Sequence, residues 1–239
     1  MYCGNIEIST YSSRAIRANM YLLRSGGRMV AVDPLCPDVQ VSLPEEKVDF
    51  ILLTHEHYDH ISGVNWFRDR FGGAVLCSVP CAEAIAFPHK NLSKYLGAML
   101  DEPNFAQYFG EGVCIEPYRC QADRILADAE AISWQGHTIE MFVTPGHSLG
   151  SACYLLDRTV LLCGDTLFAD CPTCFDFPGG SRSAFQERTL PLLRHLPPTM
   201  TVLPGHGKSF LLGEWFDKEQ ADLLGESTDI EARGIPSQG

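Results

Sequence analysis

Seven consecutive residues, Thr54 to His60, carry three of the chain's eight histidines together with Asp59, and they follow the largely apolar run Val48-Asp49-Phe50-Ile51-Leu52-Leu53. Such a run reads as a central strand buried on both faces, so the donor cluster falls at the strand's C-terminal end. Imidazole and carboxylate groups are the side chains that hold transition-metal cations. In extended backbone, side chains two apart share a face, which lets His55 and His57 reach one ion. Asp59 and His60, beyond a turn, aim at a second. The same alternation turns Glu56 away, to a supporting position or to solvent.

A catalytic zinc takes three protein ligands and keeps one position open, so each ion needs donors from elsewhere in the chain. The sequence offers them at three similar places. His147 follows Thr144-Pro145-Gly146 after a strand ending at Val143; Asp165 follows Gly164 after the apolar run Val160 to Cys163; His206 lies in Pro204-Gly205-His206-Gly207 after a strand ending at Leu203. Each sits at a strand end beside a glycine, where the backbone turns sharply and a ligand can approach closely. His89, His137 and His195 have no such company and read as surface or capping residues.

The first strand signal is a hairpin, Asn19 to Leu23 and Arg28 to Val32 around Ser25-Gly26-Gly27. Ile61, Val64, Trp66 and Phe67 mark a helix face that ends near Phe71-Gly72-Gly73, and a strand begins at Ala74. Residues from about 80 to 116 read as a helical insertion, with helices over Ala82 to Phe87 and Leu92 to Leu100 broken by Pro88 and Pro103. Strands resume at Glu130 to Trp134, Thr138 to Val143, Ala152 to Leu156 and Thr159 to Cys163. A helix over Ser183 to Leu193, opening at Ser181 or Ser183, a strand at Thr201 to Leu203 and a helix over Glu214 to Leu224 complete the pattern. Two runs of strands, each accompanied by helices, predict two sheets packed face to face with helices outside, in a single domain over residues 1–239.

Composition narrows the partners. With 18 Lys and Arg against 30 Asp and Glu, the net charge of -12 argues against nucleic acid and anionic membrane surfaces. No apolar run approaches the roughly 18 to 20 residues of a spanning helix. The first residues lack the basic and apolar segments of a secretory signal, so a cytoplasmic location and a small-molecule substrate are expected. The ten cysteines are irregularly placed, which suits buried thiols in a reducing compartment rather than a disulfide framework. Cys171-Pro172-Thr173-Cys174 has the C-x-x-C spacing of a redox pair or of half a metal site.

The set His55-x-His57-x-Asp59-His60, followed in order by His147, Asp165 and His206, resembles the metallo-β-lactamase-fold superfamily over nearly the whole chain. The resemblance implies an α+β fold, a four-layer αββα sandwich with metals in a cleft at one edge of both sheets. It implies that His55, His57 and His147 hold the first ion, that Asp59, His60 and His206 hold the second, and that Asp165 bridges them. Thr144-Pro145-Gly146-His147-Ser148, Gly164 to Ala169 and Asp176-Phe177-Pro178-Gly179-Gly180 further resemble the glyoxalase II-like (hydroxyacylglutathione hydrolase-like) branch, whose members cleave thioesters of glutathione. Members of that branch often carry Arg where this chain has Cys174.

The chemistry so implied is hydrolysis of a small thioester or ester by a hydroxide bridging two divalent ions, with Asp59 orienting it as the catalytic residue. Zn2+ is the expected metal, with Fe or Mn as alternatives. On the substrate side, Tyr58 is a candidate donor to an oxyanion, Lys208 an attractor of carboxylate at the cleft rim, and Cys174 a member of the loop after the bridging Asp. Phe87, Tyr95, Met99, Phe105, Tyr108, Phe109 and Tyr118 make the insertion a cover over the cleft or a homodimer contact. Two other reactions fit the same ligands: oxidation of persulfides by a single iron on His55, His147 and Asp165, and lactonase- or β-lactamase-type opening of cyclic esters and amides.

Overall fold

The structure, a computed structural model, describes residues 1–13, 17–35, 46–101 and 116–219. One sheet contains β1 (Tyr2–Cys3), β2 (Ile6–Ser12), β3 (Asn19–Ser25), β4 (Arg28–Val32), β5 (Lys47–Leu52), β6 (Ala74–Cys77) and β7 (Arg124–Ile125), in that spatial order. Its neighbours are antiparallel as far as β4 and parallel from β4 to β7. The other contains β8 (Glu130–Trp134), β9 (His137–Val143), β10 (Ala152–Leu156), β11 (Val160–Gly164), β12 (Thr201–Pro204) and β13 (Phe210–Leu211), also laid side by side in chain order. All its pairings are antiparallel except β11 with β12.

Strand alternation shows why both faces of each sheet need cover. Tyr21, Leu23, Val30, Val32, Leu52 and Leu76 point between the sheets and meet Ile139, Met141, Tyr154, Leu156, Leu162 and Leu203 of the other. The intervening Met20, Leu22, Met29, Ile51 and Val75 point outward and are buried by Ile61, Val64 and Phe67. Those three come from α1 (Tyr58–Ile61) and α2 (Val64–Phe71), and α3 (Val79–Ile85) adds Cys81 and Ile85 to the same layer. On the far side, Cys153, Leu155, Leu161 and Val202 are covered by Phe185, Leu190 and Leu193, and by Leu212 of the helical residues 212–219. The order helix, sheet, sheet, helix is the expected four-layer sandwich.

Helix starts follow the sequence signals. Ser78 caps α3, its hydroxyl accepting from the Cys81 amide with Pro80 in the first turn. Ser181 likewise caps the helix of Arg182–Ala184, a π turn over Phe185–Thr189 and Leu190–Arg194. Pro191, which has no amide proton to donate, stands just past the widened turn.

Several expectations are corrected. The single helix face after the donor cluster is two helices, α1 and α2, separated by Ser62 and Gly63; a Cβ at Gly63 would lie 2.0 Å from the Leu35 carbonyl oxygen. In the insertion the first helix starts at Val79 and ends at Ile85, and the second is a 3-10 turn, Ser93–Tyr95, leading into α4 (Leu96–Asp101). The rest of the expected insertion, with Phe105, Tyr108 and Phe109, lies outside the described residues, as does the end of the helix expected over Glu214 to Leu224. Strands β1, β2, β7 and β13 come in addition to the expected ones. Among the described residues no helix is long and apolar enough to cross a membrane.

The sheets are tied together at one edge. The Asn19 amide donates to the Gly205 carbonyl at 2.7 Å, the Asn19 side chain to the Pro204 carbonyl at 3.0 Å, and the Tyr21 hydroxyl to the same carbonyl at 2.6 Å. The fully buried Tyr154 hydroxyl donates to the Leu53 carbonyl at 2.9 Å, and the Ala152 amide to that of Thr54 at 2.8 Å. Four loops, leaving β5, β9, β11 and β12, converge at this edge.

Candidate metal centre

These four loops bring together all seven donors singled out by sequence. His55, His57 and His147 form one group and Asp59, His60, Asp165 and His206 another, the donor atoms of each lying within 4.8 Å of one another. Asp165 faces both groups: its Oδ2 is 3.6 Å from His147 Nε2 and 3.6 Å from His206 Nε2, while Oδ1 is 3.3 Å from His60 Nε2. His206 Nε2 stands 3.1 Å from Asp59 Oδ2, and His147 Nε2 3.0 Å from His57 Nδ1.

The other nitrogen of four imidazoles is engaged behind the site. His60 Nδ1 donates to Asp33 Oδ2 at 2.9 Å, His147 Nδ1 to the Cys174 carbonyl at 2.9 Å, and His206 Nδ1 to the Arg17 carbonyl at 3.0 Å. Thr54 gives its hydroxyl proton to Asp33 at 2.6 Å, so it accepts from His55 Nδ1 at 3.1 Å. A proton held on Nδ1 leaves the Nε2 lone pair for a cation, the arrangement that supporting acceptors impose on metal-ligating histidines.

Burial makes that preparation costly without a cation. His55 Nε2, His60 Nε2 and Asp165 Oδ1 are buried with no hydrogen-bond partner among the described residues. A buried polar atom left unpaired costs on the order of 1–3 kcal/mol. Burial, reinforced by His60 and His57, drives His55 well below the ordinary imidazole range, and burial with His147 lowers His57 to about 3. Both are therefore neutral, as ligands must be. Burial works against the charges of Asp59 and Asp165, yet the surrounding imidazoles outweigh it and hold both well below the usual carboxylate range. Conversely, these carboxylates overcome burial to raise His60 and His206. Lone pairs, carboxylates and unpartnered atoms facing one buried space fit a pair of divalent cations.

Glycine makes room for them. A Cβ on Gly205 would lie 2.1 Å from Asp165 Oδ1 and 2.6 Å from His60 Cε1; one on Gly164, whose φ is +50°, would meet Thr54 Oγ1 at 2.3 Å.

The supporting residues were harder to see in the sequence. Asp33 accepts from the Thr54 amide at 2.8 Å, the Thr54 hydroxyl and His60 Nδ1, so it braces both donor groups. Glu56 is buried, accepting from Ser148 Oγ at 3.0 Å and from the Gly150 amide at 3.4 Å, which links the first donor loop to that of His147. Burial raises its pKa.

The donors open onto a cleft of about 850 Å³, which Tyr58, Cys174 and Lys208 also line. Tyr58 is buried with its ring against Tyr118 at 5.7 Å, Cys174 is half-buried, and Lys208 is exposed and 3.5 Å from Asp170. Phe177 stacks edge-on to His57 and His147, at 5.1 and 5.6 Å. The insertion lines the cleft with Leu92, Leu96 and Met99, while its Phe87 and Tyr95 face solvent, so among the described residues its contribution to the lining is aliphatic rather than aromatic. His137 Nδ1 meets Asp157 at 2.6 Å and His195 Nδ1 donates to the Pro191 carbonyl, the peripheral roles expected of them.

The described cysteines are all free thiols. Cys3, Cys77, Cys81, Cys120, Cys153 and Cys163 are buried, and burial pushes Cys153 up to about 11 and Cys120 up to about 12. Cys171 is exposed at the cleft, its pKa raised by partial burial and by Asp165 and Asp170. With iodoacetamide at about pH 8, Cys171 and Cys174 are expected to alkylate at least ~10-fold faster than the six buried thiols. Peptide mass spectrometry over time checks this; equal rates would contradict the packing.

The sequence model of the metallo-beta-lactamase superfamily matches residues 14–206. The chain belongs to that superfamily. Among curated proteins, a hydroxyacylglutathione hydrolase of Acidiphilium cryptum (strain JF-5) is 28% identical over 227 residues, covering 91% of this chain and 78% of its own. Among solved structures, the BLEG-1 B3 metallo-beta-lactamase aligns with a TM-score of 0.72 at 26% identity, covering 88% of this chain and 97% of that one. TTHA1623, solved in a di-iron-bound form, aligns at 0.65 with 25% identity, covering 86% and 96%. Superfamily membership and the hydrolase relative support a metal-binding hydrolase, and the His and Asp groups supply donors for two ions.

Proposed function

We propose that this member of the superfamily is a dinuclear hydrolase of thioester or ester substrates. His55, His57 and His147 would hold one cation, Asp59, His60 and His206 the other, with Asp165 between them. Zinc is the metal we assign, since neutral imidazoles and carboxylates at a site with open access suit it. Divalent cations in such a pair supply a water acidic enough to ionise near neutral pH and polarise the carbonyl under attack.

The observation that carries this reading is the engagement of Nδ1 in four imidazoles, which leaves Nε2 of each as the atom available to a cation. The chain's own residues do the rest. Asp59, held beside His206, is placed to accept and orient a proton of the attacking water. Tyr58, Cys174 and Lys208 flank the space a substrate would fill. The thioester preference is supported by similarity to a hydroxyacylglutathione hydrolase.

Metal analysis and kinetics test the proposal together. About two zinc ions per chain and chelator-sensitive hydrolysis of a thioester are the expected results. About one iron per chain with oxygen uptake on a persulfide would replace the hydrolase reading with the oxygenase one. Opening of a lactone or β-lactam far faster than any thioester would keep the mechanism and overturn the substrate class.

A further inference from the structure

Resting on the hydrolase reading above, we propose that the cleft selects an uncharged, apolar acyl chain carried on a leaving group without net negative charge. Its walls make the first half of the case. Leu92, Leu96 and Met99 from the insertion, with Phe168 and Phe177, line the space into which the donors open. A cleft of about 850 Å³ has the volume of a site for a sizeable organic ligand rather than for an acetyl group.

One wall residue is held there against its own preference. Leu92 has φ +69°, in the left-handed region that a branched side chain avoids, and it is nevertheless buried. Asn91 fixes it: the Asn91 side chain donates to the Ile85 carbonyl at 3.2 Å and the Tyr118 carbonyl at 2.9 Å, and accepts from the Ser93 amide at 3.0 Å. The Asn91 carbonyl in turn accepts from the amide of Tyr58, inside the donor loop, at 3.0 Å. The apolar wall is thereby fastened to the loop that bears the metal donors.

Charge makes the second half. Among the described residues, Lys208 is the one Lys or Arg lining the cleft, and Asp170 stands 3.5 Å from its ammonium. Asp176 lines the cleft too. A glutathione leaving group brings two carboxylates and one ammonium, and among the described residues this rim offers its carboxylates one cation, already paired with Asp170, which Lys218 also approaches at 3.8 Å. A neutral thiol meets no such penalty, and each methylene of an apolar acyl chain gains by leaving water for the aliphatic wall.

The test uses the full chain loaded with zinc and two substrate sets: acetyl, butyryl, hexanoyl and octanoyl thioesters of N-acetylcysteamine, and the butyryl thioester of glutathione. Expected is a rise in kcat/KM of about fourfold per methylene until the cleft is filled. Butyryl-glutathione should be at least ~10-fold poorer than its neutral counterpart. Met99→Ser, at a half-buried position, should lower the octanoyl-to-acetyl ratio. Acetyl thioester hydrolysis with a flat chain-length profile, or a preference for glutathione, overturns the specificity and leaves the hydrolase reading standing. No metal-dependent hydrolysis of any of them overturns both.

Discussion

Asp165→Asn is expected to lower kcat/KM for a thioester by about a thousandfold and to reduce bound metal from about two ions per chain to one or none. The carboxylate stands 3.3 Å from His60 Nε2 and 3.6 Å from both His147 Nε2 and His206 Nε2, so it is shared by the two donor groups. Asn keeps the shape but removes the charge, and its amide hydrogens repel a cation wherever they replace an oxygen. A thousandfold loss corresponds to about 4 kcal/mol of transition-state stabilisation, within reach of losing one ion of a pair that acts as a unit. The variant should still fold, but less stably when metal-free, because the surrounding imidazoles hold the Asp165 carboxylate well below its usual range and Asn removes that charged partner. Elemental analysis and steady-state kinetics on the same preparation check the prediction. Unchanged metal content with unchanged turnover would remove Asp165 from the centre.

The seven donors could be read from sequence because the chemistry restricts both residue type and position: imidazole or carboxylate, at the end of an apolar strand, beside glycine. The second layer is encoded differently. Asp33 reaches Thr54 and His60 because β4 and β5 run parallel and end side by side, and no local spacing records which strands become neighbours. The link from Glu56 to Ser148 likewise spans 92 residues of sequence. Continuous apolar runs did expose the central strands of both sheets, since β3 and β4 in one and β10 and β11 in the other are buried on both faces. Two-residue strands such as β7 and β13 are too short to carry a period. In β2, by contrast, Ile6 and Ile8 alternate with Glu7 and Ser9, a period of two that is legible in the sequence. Leu92 shows the opposite limit: its left-handed backbone comes from hydrogen bonds of Asn91, and nothing about a leucine announces it.

Asp33→Ala should be the most damaging change outside the donors themselves. Asp33 is 2% exposed and serves three donors, the Thr54 amide, the Thr54 hydroxyl and His60 Nδ1. Removing it strands buried groups at a cost of about 3–5 kcal/mol, which in a chain of this size lowers Tm by roughly 10 °C. The effect on metal follows from the protons. Without Asp33 the Thr54 hydroxyl is free to turn and donate to His55 Nδ1, which drives that ring's proton onto Nε2, the atom that faces the cation. His60 Nδ1 loses its acceptor at the same time, so one imidazole in each group loses the partner that sets its proton. Zinc affinity should therefore fall about 10- to 100-fold, the usual penalty for losing an outer partner of a ligating histidine. Thermal unfolding of the metal-free protein and competition with a calibrated chelator separate the two effects. A variant that loses stability yet binds zinc as tightly as before would show that Asp33 props up the fold without setting the protons of the site.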